Sequence, residues 1–256
     1  MKWPLSLTLI RHAESAYNVL KAQKLTDPLY KKFVTSYDTD WRSEQTRSLA
    51  LEVHATFPVT WSEEGTPLTE SGITQARAVG RALKASQDLP DVIYVSPYVR
   101  TLDTLGYIQE LWPELRDTRV IQDERLREQE FGLRSLYNDW RITRVFHPDY
   151  YDLRSLQGMY WFRQPMGENV PDVRARVRSW INTLTRDFAG KKILAITHHI
   201  TILSLRANLE RLSPEEFVRL DKEEEPGHCT ISTYKGDSSA GVDGRFKLDC
   251  YNQDPG

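Results

Sequence analysis

Hydrophobic positions along the chain follow two periods. Short continuous runs of apolar and β-branched residues occur at 5–11, 91–95, 119–122 and 192–197, and each reads as a strand buried on both faces. Between them lie stripes of helical spacing. Ile73, Ala76, Val79, Gly80 and Leu83 share one helix face, and Val173, Val177, Trp180, Ile181 and Leu184 share another. Thr69 is placed to cap the first of these helices, with Glu70 in its first turn. Ser96 and Pro97 break the second strand and open a helix to about Leu111, with Ser96 as N-cap. Further helices are expected at 200–209 and 214–220, and two last strands at 229–234 and 246–250. Strands alternating with helices predict a three-layer α/β/α sandwich on a mostly parallel central sheet.

Two stretches escape this pattern. Residues 19–66 and 133–166 are rich in aromatics and mixed charge, and read as irregular insertions with short helices near 43–56 and 140–145. The expected organisation is one domain over 1–256, with the two insertions forming a substrate cap. Residues 221–225 (Asp-Lys-Glu-Glu-Glu) read as a solvated loop.

Composition narrows the function classes. A formal charge of −2 gives no global field for nucleic acid or a membrane surface. No apolar run is long enough to span a bilayer, and the first twenty residues lack a signal-peptide pattern, so a cytoplasmic location is expected. Cys229 and Cys250 are the only cysteines, which fits free thiols. No CxxC, HExxH or His-x-His pattern occurs, so neither a metal site nor a cofactor is expected.

Candidate chemistry collects at strand ends. Arg11 and His12 follow the first strand, Arg100 follows the second, Glu128 the third, and His198 the strand at 192–197. In a parallel sheet these ends share one edge. The helix N-termini at Ser96-Pro97 and His198-His199 would aim free N–H groups at the same place, which makes an anion site. Taken singly, each residue has a plainer reading. Arg11-His12 could mark the solvated end of a strand, Arg100 could be a surface ion-pair residue, and Glu128 sits among other charges. His54, His147 and His228 lie in no motif and read as ordinary surface or partly buried histidines.

The ordered set resembles the histidine phosphatase superfamily, which includes the cofactor-dependent phosphoglycerate mutases. The resemblance rests on Arg11-His12-Ala13-Glu14-Ser15-x-x-Asn18, Leu68-Thr69-Glu70-x-Gly72-x-x-Gln75-Ala76 and Ser96-Pro97-x-x-Arg100-x-x-x-Thr104. It continues through Leu126-x-Glu128-x-x-Phe131-Gly132, Gly167-Glu168-Asn169 with Arg176, and Thr197-His198. It implies a phosphoglycerate mutase-like fold with His12 as nucleophile, attacking phosphorus and forming a phosphohistidine. Arg11 and Arg100 would grip the phosphoryl oxygens, and His198 and Asn18 would donate to them. Glu128 would protonate the leaving oxygen and later take a proton from water. Ser15 would donate to phosphate or cap the turn, and Arg163 would reach a second anion of the substrate. Two positions depart from the family pattern. Ala13 and His199 stand where it usually has Gly, and a side chain at 199 would crowd the phosphate or contact the substrate.

Phosphatase is favoured over mutase. The mutases carry a lysine after the acid motif, then an arginine pair and a proline-rich segment. The lysine position falls at Asp139, and residues 133–166 show neither of the other features. The third reading is a non-catalytic phospholigand-binding protein. The expected substrate is a small phosphate ester or a phosphorylated protein.

Overall fold

The computed structural model describes residues 2–137 and 139–255. In chain order the elements are β1 (Ser6–Arg11), α1 (Ala16–Thr26), α2 (Pro28–Asp40), α3 (Glu44–Thr56), α4 (Glu70–Ser86), β2 (Val92–Val95) and α5 (Val99–Leu111). They continue with β3 (Arg119–Gln122), α6 (Leu133–Tyr137), α7 (Trp140–Phe146), α8 (Pro148–Trp161), α9 (Val170–Asp187), β4 (Lys192–Thr197) and α10 (His199–Glu210). The last are α11 (Pro214–Glu223), β5 (Ile231–Asp237) and β6 (Arg245–Gln253). Two compact units form. The first is 1–15, 67–128 and 170–256; the second is 16–66 and 129–169.

The first unit is the expected sandwich. Its sheet has the order β3-β2-β4-β1-β5-β6. β1, β2, β3 and β4 run parallel, and β5 and β6 close one side antiparallel. Alternation along the strands sends Ile10, Ile93, Val95, Leu194 and Ile196 to one face, where they pack with Ala76, Val79 and Leu83 of α4 and Leu105 and Ile108 of α5. On the other face Tyr94 meets Trp180 of α9 edge-on at 5.3 Å. β3 and β6 are the two edges of the sheet. Helix α4 begins as expected, with Thr69 Oγ1 accepting the Gly72 N–H at 3.0 Å.

The α5 start differs from expectation. Its N-cap is Tyr98, not Ser96, and no side chain caps it. Two residues, Pro97 and Tyr98, separate Ser96 from that helix, which frees the serine hydroxyl for another partner. The segment at 221–225 is also different: its first three residues finish α11.

The second unit has the two expected short helices, α3 and α7, and is also helical in most of what read as irregular around them. α1, α2 and α3 fill 16–56, and α6, α7 and α8 fill most of 133–161. The periodicity was obscured because this unit packs with aromatics and arginines rather than an aliphatic stripe. Its core joins Tyr30, Phe33, Tyr37, Leu49, Ala50, Val53, Ile142 and Val145. Arg144 lies over the Trp41 and Tyr151 rings, at 4.5 and 5.0 Å from their centroids. Asp139, at the position compared with the mutase lysine, is buried against Lys24 at 3.0 Å and accepts from the Tyr30 hydroxyl at 2.7 Å. Burial outweighs this carboxylate in setting the Lys24 ammonium, whose pKa is lowered.

Candidate active site

Register brings the two motif histidines together. β1 and β4 are neighbours with Arg11 opposite Thr197, so the next residue of each strand, His12 and His198, sits at the same sheet edge. Their rings lie 5.2 Å apart between centroids. The His12 N–H donates to the Thr197 carbonyl at 2.9 Å, which continues the ladder one residue past the strand.

The His12 ring is oriented by the backbone of the next residue. Nδ1 lies 2.8 Å from the Ala13 carbonyl oxygen. A carbonyl can only accept, so Nδ1 carries the proton and Nε2 keeps its lone pair. The ring is buried, and its pKa is well below the ordinary histidine value, first by desolvation and then by the charges of Arg100 and Arg11. His198 is shifted the same way, by burial and then Arg100. Its Nε2 shares a 2.7 Å hydrogen bond with the Ser96 hydroxyl, which explains why Ser96 does not cap α5. Its Nδ1 is buried without a partner.

Other motif residues hold the turn after His12. The Ala13 N–H donates to Thr104 Oγ1 at 3.0 Å, and the Glu14 N–H donates to Gln75 Oε1 at 2.9 Å. Thr69 Oγ1 donates to the Glu14 carboxylate at 2.7 Å. A Cβ on Gly72 would come within 2.1 Å of the Glu14 carbonyl oxygen, so this position of α4 admits only glycine at the observed spacing. The Ala13 methyl is fully buried in the core, so the change from Gly costs no site volume. Ser15 is buried and bridges to Leu68.

Glu128 reaches the same edge by a different route. After a short 3₁₀ turn at Glu124–Leu126, the chain is pinned by Thr197 Oγ1 donating to the Leu126 carbonyl and Thr201 Oγ1 donating to that of Arg127. Arg176 of α9 donates to the carbonyls of Arg125 and Glu128, at 2.7 and 3.1 Å. The carboxylate is buried and accepts the Ile200 N–H from the first turn of α10 at 3.2 Å. Arg100, buried in the first turn of α5, stacks on the Tyr98 ring at 4.8 Å.

His199 is joined at the site by two residues that no motif marks, His228 and Glu225. His228 is partly buried, as one of the two plain readings had it, but it lies against His12. Its ring is 5.5 Å from that of His12, and its Nδ1 lies 3.3 Å from the His12 carbonyl oxygen. Burial and then Arg11 push its pKa down to about 4. Glu225, expected in a solvated loop, accepts from Arg11 Nη1 at 2.9 Å. His199 Nε2 stands 3.0 Å from Asp221 Oδ1, and its Nδ1 3.5 Å from Glu225 Oε1. No local pattern points to these contacts, because a turn after α11 brings the chain back to β1. Asn18 lies in α1, and Arg163 in the segment after α8; both belong to the second unit. Among the described residues, no group of three or more His, Cys, Asp or Glu is placed to hold a metal ion. Cys229 and Cys250 are free thiols, and no described helix is long and apolar enough to cross a membrane.

The family model for histidine phosphatase superfamily (branch 1) matches residues 59–242. The chain belongs to the histidine phosphatase superfamily. The match takes in Arg100, Glu128, His198 and His228; Arg11 and His12 precede it, separated by the helices α1 to α3. Among relatives of this superfamily member, a phosphoglycerate mutase-like protein of Arabidopsis thaliana is 35% identical over 181 residues, covering 64% of this chain and 54% of that protein. The 2,3-bisphosphoglycerate-dependent phosphoglycerate mutase 2 of Gloeobacter violaceus is 30% identical over 161 residues, covering 61% of this chain and 70% of the mutase. The chain spans about half the length of the plant relatives it matches, 44% and 54%. Among solved structures, a phosphoserine phosphatase of Entamoeba histolytica in complex with 3-phosphoglyceric acid superposes with a TM-score of 0.63 at 19% identity, over 97% of this chain and 96% of that one. At that identity the likeness concerns the fold.

Proposed function

We propose that this superfamily member is a phosphatase that hydrolyses phosphate monoesters through a phosphohistidine on His12. The observation that carries the reading is the state of the His12 ring. Its Nδ1 proton is committed to the Ala13 carbonyl, and burial and arginine charge hold the ring neutral, so Nε2 is an available lone pair. Nε2 attacks phosphorus in line as the ester oxygen departs. Arg11, Arg100 and His198 bind the phosphoryl oxygens and stabilise the charge spread over them in the transition state, with Asn18 as a further donor. Glu128 protonates the leaving oxygen. It then takes a proton from the water that attacks the phosphohistidine, releasing inorganic phosphate and restoring His12. Arginine charge and the α10 N-terminus supply the positive field, so activity is expected to be insensitive to EDTA.

Phosphatase is preferred to mutase because Asp139, at the position compared with the mutase lysine, is a buried ion-pair residue of the second unit. Residues 133–166 also lack the arginine pair and the proline run. We assign the second unit, with Arg163, the selection of a small phosphate ester. The names of the sequence relatives favour the mutase alternative. One experiment separates the two: assay the chain against a panel of phosphate monoesters and, after priming with 2,3-bisphosphoglycerate, against 3-phosphoglycerate. Release of inorganic phosphate, with an acid-labile and base-stable phosphoenzyme, is the expected result. Interconversion of phosphoglycerates without hydrolysis would overturn it.

A further inference from the structure

Arg11 is held from behind. Its Nη1 donates to two consecutive residues, the Glu225 carboxylate at 2.9 Å and the Pro226 carbonyl. Its Nε is buried and has no hydrogen-bond partner. A guanidinium binds an oxyanion best through a pair of N–H groups on one edge. With Nη1 engaged by the chain, the edge carrying Nε is the one left for a phosphoryl oxygen.

The acceptor is itself fixed. The Tyr251 hydroxyl donates to the Glu224 carbonyl at 2.6 Å, and Asn252 Nδ2 donates to that of Glu225 at 3.1 Å. The Gly227 N–H donates to Asn252 Oδ1 at 2.7 Å, so β6 bolts the 224–227 turn in place. On its other side Glu225 Oε1 is 3.5 Å from His199 Nδ1, and the same ring reaches Asp221. An exposed ion pair would be worth little. Here the arginine end is desolvated, at 9% side-chain exposure against 50% for Glu225.

We propose that Glu225 is a positioning residue for the phosphate site, with His199 as its second tether. It holds one terminal nitrogen of Arg11 so that the Nε edge is presented to a phosphoryl oxygen. The side chain at 199, which departs from the family pattern, stands against Glu225. The proposal rests on the phosphate-site reading above.

The test is a double-mutant cycle on the full chain, read as kcat/KM for p-nitrophenyl phosphate, together with the Kd of inorganic phosphate by calorimetry. Glu225→Ala is expected to weaken phosphate binding about five- to tenfold and to raise KM more than it lowers kcat, within the range of pairwise coupling. Glu225→Gln keeps an oxygen acceptor for Nη1 and is expected to fall between Glu225→Ala and wild type. In the Arg11→Ala background, adding Glu225→Ala should cost nothing further. Unchanged or tighter phosphate binding by Glu225→Ala overturns the proposal, tighter binding meaning that the carboxylate competes for Arg11. A loss that persists undiminished without Arg11 also overturns it. Should Glu225→Ala fail to fold, the Gln variant decides: a loss abolished by Arg11→Ala supports the proposal, and no loss overturns it. A wild-type chain that binds no phosphate overturns the site reading as well.

Discussion

The sheet unit and the helical unit bury charge in opposite ways. Around His12 the buried charges push together: burial and arginine charge lower the pKa of His12, His198 and His228 alike. In the helical unit, buried Lys24 meets buried Asp139 at 3.0 Å, and the Tyr30 hydroxyl completes the carboxylate. Positive charge prevails on the histidines even with Glu225 paired to Arg11, whereas Lys24 has its counter-charge directly beside it. A buried field of one prevailing sign is costly to fold around, and such fields mark places where chemistry rather than stability set the residue types. A cancelled pair contributes to structure and leaves nothing for a ligand.

Substitution should therefore affect activity in one unit and stability in the other. The largest effect is expected for His12→Ala: phosphatase activity falls on the order of 10⁴-fold or more, while the urea midpoint moves little. Radiolabel from a phosphorylated substrate should then no longer be trapped on the protein. Glu128→Gln is next. It should slow alkyl phosphates by about 10²–10⁴-fold and aryl phosphates with good leaving groups far less. Equal losses on both classes would remove the residue from the acid role.

In the helical unit, Asp139→Ala leaves Lys24 buried and uncompensated, and should cost about 3–5 kcal/mol in urea unfolding. Replacing both partners with Met and Leu should recover much of that. If the single variant is as stable as wild type, the contrast between the units is wrong. The smallest expected effect is on pH dependence. His228 titrates near 4 in the folded chain against an ordinary 6.5, so the unfolded chain takes up its proton first as pH falls. Stability is therefore full above about pH 6.5 and declines as pH drops toward about 4, and His12 and His198 act in the same direction. Thermal melts of His228→Asn should show a shallower decline across that window.

What the sequence disclosed divides along the same line. The strands of the parallel sheet and helix α4 were legible because their residues are continuous apolar runs or clean 3.6-residue stripes closed by a cap. The placement of Arg11, His12, Arg100, Glu128 and His198 was legible because each sits at or just beyond the end of a strand or its turn, and parallel strands end together. In the helical unit α3 and α7 were legible near 43–56 and 140–145, but α1, α2, α6 and α8 were not, since the unit's buried faces mix tyrosine, tryptophan, arginine and lysine. Glu225 and His228 were hidden for another reason. They lie more than 200 residues from Arg11 and His12, and only the antiparallel return of β5 alongside β1 brings them near. Ser96 was placed at the right turn, but its hydroxyl serves His198 rather than the helix end.

β1 is paired on both sides, with β4 and with β5, and its residues Leu7, Leu9 and Ile10 are fully buried. Amide protons on such a strand exchange with solvent only when the whole sheet opens, so they report global rather than local opening. His12, the proposed nucleophile, directly follows one of the sheet's doubly paired strands. Its position is as durable as the fold, and loosening a peripheral loop should leave the His12 ring where it is.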